Sequence, residues 1–100
     1  MVFLYQERGT GKTCTLIKLS AKNNIPIGVP YNARYIKGKA AELNLQIPEP
    51  IVINSFEDLT NVDKIYIDDL KLVIKKLFPC DVQAVTMSVG ERVEGMIWNL

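Results

Sequence analysis

The chain is expected to fold as an α/β domain in three layers, α-β-α, around a mainly parallel five-stranded sheet. Two observations predict it. Short apolar runs alternate with longer amphipathic stretches along the sequence, the order that builds a parallel sheet with helices on its faces. The first run is followed by a glycine-rich turn that opens a helix, and every run ends in polar residues. No repeat, low-complexity segment or linker interrupts this order. Residues 1–100 therefore read as a single domain, with 89–100 as a tail or an edge element. A chain this size can bury one modest core, not two.

Val2–Tyr5 (VFLY) reads as a buried strand. Gly11 to about Lys22 reads as a helix, with Leu16, Leu19 and Ile17 inward and Lys18 and Lys22 toward water. Asn23 and Asn24 end it. Ile25–Val29 is a second apolar run, in which Pro26 delays the strand or places it near an edge. Asn32 is expected to cap a helix running to about Asn44, with Ala33, Ile36, Ala40 and Leu43 on one face and Gly38 as its weak point. After the proline-rich connector IPEP (47–50), Ile51–Asn54 is a third strand, and Ser55 can cap a short turn through Leu59. Lys64–Ile67 is a fourth strand ending in Asp68 and Asp69. Leu70–Phe78 is a short helix stopped by Pro79, and Val82–Met87 is a fifth strand. Ser88 to Leu100 reads ambiguously.

Composition narrows the chemistry. Hydrophobic residues make up 48% and charged residues 23%, ordinary for a globular fold. The net charge of +1 exerts no global pull toward nucleic acid or anionic lipid. No apolar run approaches the ~18 residues of a membrane span, and the opening residues are too short and too acidic for a secretory signal. Cys14 and Cys80 lack metal-ligand spacing and fit a reducing cytoplasm. With no histidine, His triads, His general bases and His-ligated metals are absent. Backbone amides, lysine, hydroxyls and carboxylates are left to do any chemistry.

In a parallel sheet, ligands bind beyond the carboxyl ends of the strands. There the sequence places QERGTGKT (6–13), one residue short of the phosphate-cradling pattern G-x-x-x-x-G-K-[S/T]. Successive backbone N–H groups form the cradle, and the helix behind adds its N-terminal partial charge. Gly9, Thr10, Gly11, Lys12, Thr13 and Cys14 are the nucleotide-binding candidates. Lys12 would reach the β- and γ-phosphates, and Thr13 would ligate Mg²⁺. Gln6 replaces the first glycine; a non-glycine there costs on the order of 1 kcal/mol if φ must be positive. The fourth strand supplies the second element, KIYIDDL (64–70). Asp68 is the candidate metal carboxylate, with Thr13 as the other metal ligand. Asp69 is a candidate catalytic base, and equally a helix N-cap.

These two elements, about 55 residues apart, resemble the Walker A and Walker B motifs of P-loop NTPases. IGVPYNARYIKGKAAEL (27–43) resembles motif Ia of RecA-like helicase domains, and AVTMS (84–88) resembles their motif III or a sensor strand. The resemblance covers roughly residues 1 to 90. It implies a RecA-like core with the sensor strand between the P-loop and Walker B strands. It also implies Mg-ATP hydrolysis coupled to DNA replication, recombination or packaging, in a phage or prophage setting, with single-stranded DNA as a partner. Thr86 would then sense the γ-phosphate. Asp69 stands where that family has Glu, and only one lobe is present. An arginine finger would have to come from another subunit or lobe, with Arg92, Arg8 and Arg34 as this chain's own candidates. Hydrolysis by the isolated chain is accordingly expected to be slow.

Two other functions fit the same loop. One is a small-molecule kinase, although no arginine-bearing lid is evident. The other is a non-catalytic nucleotide-binding scaffold. Tyr31 and Tyr35 can stack on bases or pack at a core edge. Lys71, Lys75 and Lys76, and separately Arg34, Lys37 and Lys39, form basic faces that can follow a phosphate backbone or simply face water.

Overall fold

The computed structural model describes residues 3–4, 11–86 and 93–94. In chain order the elements are β1 (Phe3–Leu4), α1 (Lys12–Asn23), β2 (Ile27–Val29), α2 (Arg34–Glu42), β3 (Ile51–Val52), a 3₁₀ turn (Phe56–Leu59), β4 (Tyr66–Ile67), α3 (Leu70–Leu77) and β5 (Val93–Glu94). β2 is the centre of a parallel sheet ordered β3-β2-β4. Gly28 aligns with Ile51 on one side and with Ile67 on the other.

Alternation along these strands sorts their side chains. Ile27, Val29, Val52 and Tyr66 share the face that packs with Leu16 and Ile17 of α1 and with Ile36 and Ala40 of α2. Ile17 is fully buried and Leu19 only half-buried, so the inward stripe of α1 runs Leu16, Ile17, Ser20 rather than through Leu19. Ser20 is tolerated there because its hydroxyl donates to the Ile25 carbonyl at 2.6 Å, which satisfies that buried oxygen. Gly28 faces the other side of the sheet. A Cβ on it would lie 2.6 Å from Ile53 Cδ1 and 2.7 Å from Ile65 Cδ1. The two flanking isoleucines therefore lean over the central strand where it lacks a side chain.

Helix boundaries follow local chemistry. α1 starts behind Gly11 in the left-handed region (φ 86°) and stops at Asn24, also left-handed (φ 55°), a conformation glycine and asparagine adopt most readily. The N-cap of α2 is Ala33 rather than Asn32. Asn32 serves one residue earlier, its Oδ1 accepting from the Arg34 N–H at 3.1 Å. Asp58 closes the 3₁₀ turn from its side chain, Oδ2 accepting the Ser55 N–H at 3.0 Å, half of a capping box.

The expected five-stranded, RecA-like P-loop core is overturned. Among the described residues the chain builds a three-stranded parallel sheet and a separate parallel pair, β1 with β5. With the three helices described there, this is too small for a five-stranded P-loop core. The paired segments are two or three residues long, against a usual strand of about five or six. The expected fifth strand, 82–87, has no regular structure over 82–86, and Met87 lies outside the described residues. Val82 is half-buried but Val85 is 62% exposed, so the run is not packed as a strand, and strand propensity without packing does not hold one. β5 instead falls in the stretch that the sequence leaves ambiguous.

Candidate functional site

The carboxyl ends of β2, β3 and β4 and the N-terminus of α1 meet at one edge of the three-stranded sheet. Asp68 is carried there by β4, its N–H donating to the Gly28 carbonyl of β2 at 3.0 Å. Thr13 approaches from the first turn of α1, and its hydroxyl donates to Asp68 Oδ1 at 3.4 Å across 55 residues of sequence. That is longer than the usual 2.5–3.0 Å for a hydroxyl on a carboxylate. The two oxygens are neighbours rather than a tight pair. Burial and the adjacent Asp69 charge hold the Asp68 carboxyl above its ordinary value of 3.8, while Lys12 and the Thr13 hydroxyl act in the opposite direction.

The helix N-termini at this edge differ. α1 has no side-chain cap and no acidic residue in its first turn, so its leading N–H groups take up no carboxylate of its own. α3 is capped by Asp69, which adopts the left-handed region (φ 61°) and accepts the Leu72 N–H at 3.4 Å. The candidate base thus spends one carboxylate oxygen on the helix behind it, the bland role the sequence also allows. Lys12 and Cys14 are half-buried on α1 beside Thr13.

Other candidates stand apart. Gly9 and Thr10 of the loop, with Gln6, Arg8 and Arg92, lie outside the described residues. Thr86 is exposed and sits on no strand, so no sensor strand carries it to this edge. Arg34 is exposed at the start of α2. The basic face of α2 is partly neutralised: Lys37 pairs with Glu49, and Lys39 with Glu42 at 3.3 Å. Among the described residues no group of three His, Cys, Asp or Glu could hold a metal ion. Thr13 and Asp68 therefore supply two hard oxygens and no more.

Lys76 is the residue that sequence reasoning missed. It reads as part of a solvated basic face, yet it is half-buried. Its ammonium donates to the Pro30 carbonyl and, at 2.7 Å, to Asn54 Oδ1. It also lies 5.0 Å from the centre of the Tyr31 ring, within cation–π range. One side chain of α3 thereby joins the chain just beyond β2 to the chain just beyond β3. The signal was its position three residues after Val73, which is 1% exposed. Residues three apart on a helix share a side.

Two cavities flank the sheet. One of about 220 Å³ opens at this edge, between Tyr31 and Tyr35 on one wall and Asp68 and Asp69 on the other. A larger one, about 420 Å³, lies at the opposite edge among Asn23–Pro26 and Asn61–Lys64. Both linings are polar: the larger cavity carries Asn23, Asn24, Asn61, Asp63 and Lys64, while the carboxylates that the sequence marks as candidates are at the smaller one.

No protein-family model matches this chain, and no curated protein or solved structure matches it significantly. No helix among the described residues is long and apolar enough to cross a membrane.

Proposed function

We propose that the turn at Gly11–Thr13 and the Asp68 carboxylate hold the magnesium complex of a nucleoside triphosphate, ATP in the first instance, and that the chain hydrolyses it slowly. The observation that carries this reading is the 3.4 Å approach of Thr13 to Asp68 at the uncapped N-terminus of α1. Adjacent ligands of an octahedral Mg²⁺, each about 2.1 Å from the ion, lie about 3 Å apart. The two oxygens need move only slightly to share one ion. Two protein oxygens suit Mg²⁺, which keeps waters and substrate phosphates in its remaining positions. When bound, the ion would neutralise charge on the phosphates. Gly11 lets the backbone turn toward phosphate, the leading amides of α1 face it, and Lys12 adds a cation.

Slowness follows from what is missing at the edge. Asp69 is engaged as a helix cap, Thr86 lies on no strand, and the arginine of a second subunit or lobe would have to come from outside. The Asp69 cap equally favours a second reading, a nucleotide-binding scaffold without turnover. The free thiols of Cys14 and Cys80 accord with a reducing, cytoplasmic setting.

Calorimetric titration of Mg-ATP, followed by phosphate release with and without a single-stranded oligodeoxynucleotide, tests both readings. Saturable binding lost in Lys12→Ala and in Asp68→Asn is expected, with slow turnover. Turnover that rises with the oligodeoxynucleotide would extend the reading to work on DNA. Binding without turnover would select the scaffold. Equal Mg-ATP affinity in Lys12→Ala and the wild type would sink both.

A further inference from the structure

The 220 Å³ hollow beside Asp68 has a mixed lining. Its floor is apolar: Val29 and Ile36 are 3% and 1% exposed, and Leu72 is half-buried. One wall presents Tyr31 and Tyr35, 57% and 64% exposed. The facing wall carries Asp68 and Asp69, the only charged residues of the lining among the described residues.

The hydrogen-bond inventory then selects a ligand class. Asp68 Oδ1 is used by Thr13 and Asp69 Oδ1 by Leu72, and among the described residues Oδ2 of each takes no hydrogen bond. Asn32 Oδ1 is used by the Arg34 N–H, which assigns the amide oxygen inward to the backbone and leaves its NH₂ as a donor. Two carboxylate acceptors and an amide donor match the hydroxyls of a polyol. Two exposed aromatic rings match its C–H faces. An anion that brings no metal ion is disfavoured by the two adjacent carboxylates. Positive charge is already supplied from outside the lining by Lys12 near Asp68 and by Lys76 against Tyr31. Nucleic acid fits less well, since Lys37 and Lys39 of α2 are paired with Glu49 and Glu42.

We infer that this cavity binds a small, neutral, hydroxyl-bearing ring compound of roughly monosaccharide size, stacked on Tyr35 and Tyr31 and hydrogen-bonded by Asp68, Asp69 and Asn32. It shares Asp68 with the nucleotide reading but does not depend on it.

The test is titration of the isotope-labelled full chain by NMR without nucleotide or Mg²⁺, so that it stands apart from the ATP experiment. The probes are D-glucose, D-ribose and myo-inositol. Glucosamine, gluconate and oligodeoxythymidylate serve as cationic, anionic and nucleic-acid comparisons. At least one neutral probe is expected to give saturable shifts at residues 29–36 and 68–72, in the millimolar range or tighter. Tyr35→Ala, at an exposed position, should weaken it about tenfold. Asp69→Asn, which keeps the helix cap, should also weaken it. Three results would overturn the inference: no saturation by any neutral probe, unchanged affinity in both variants, or these shifts arising only with glucosamine, gluconate or the oligonucleotide.

Discussion

The two edges of the three-stranded sheet are made differently. At the carboxyl edge, side chains distant in sequence reach across the strand ends. Thr13 meets Asp68, and Lys76 joins Pro30 to Asn54. The amino edge has the larger cavity, but its polar contacts are Ser20 to the Ile25 carbonyl and Asn23 to the Tyr66 hydroxyl at 2.8 Å. The first of these fills a buried backbone need, and the second is exposed. Both edges present charge, Asp63 and Lys64 at one and Asp68 and Asp69 at the other. What sets the carboxyl edge apart is that helix side chains reach the chain just beyond all three strands.

Substitutions at each edge put that contrast to a measurement, by thermal unfolding followed by circular dichroism. Lys76→Met should have the largest effect. It removes a half-buried ammonium and leaves its two acceptors, the Pro30 carbonyl and Asn54 Oδ1, without that donor, at a cost of about 1.5–3 kcal/mol, or roughly 4–8 °C in Tm for each kcal/mol. A loss below about 0.5 kcal/mol, within the range of ordinary surface changes, would mean that the carboxyl edge is not held by it. At the amino edge, Ser20→Ala leaves the Ile25 carbonyl without its donor and should cost about 1–2 kcal/mol. Gly11→Ala meets no steric obstacle, since a Cβ there has nothing within 4 Å. Its positive φ alone should cost about 1 kcal/mol, together with weaker Mg-ATP binding in the same calorimetric titration.

Asp68→Asn should act in the opposite direction and more weakly. The folded protein holds the Asp68 proton more tightly than the unfolded chain does. Stability is therefore greatest below the ordinary aspartate value, and it falls as pH rises from there through the raised one. The variant removes that fall. It should match the wild type in acid and exceed it at neutral pH, while losing Mg²⁺-dependent nucleotide affinity. A variant less stable at neutral pH would overturn this account of Asp68. Asn23→Ala, breaking an exposed contact at the amino edge, should change stability by less than about 0.5 kcal/mol.

Much of this was legible in the residues. Gly11 followed by an amphipathic stretch announces α1, Pro79 limits α3, and the apolar run before Asp68 places a carboxylate at a strand end. What the residues do not announce is partnership. VQAV looks like VFLY, but strands are made by what packs against them, and Val85 packs against little. Leu19 outranks Ser20 on any hydrophobic scale, yet Ser20 lies on the stripe with Leu16 and Ile17 because the Ile25 carbonyl answers it. Lys76 looks like its neighbours Lys71 and Lys75. Only its distance from Val73 along the helix separates it from them.

Cys14, on the first turn of α1 next to Thr13, is half-buried, while Cys80 is exposed. The chain thus carries two thiols with unequal access to reagents in water. Cys80 can take a fluorophore while Cys14 reacts more slowly, and the alkylation rate of Cys14 reports how often the start of α1 opens.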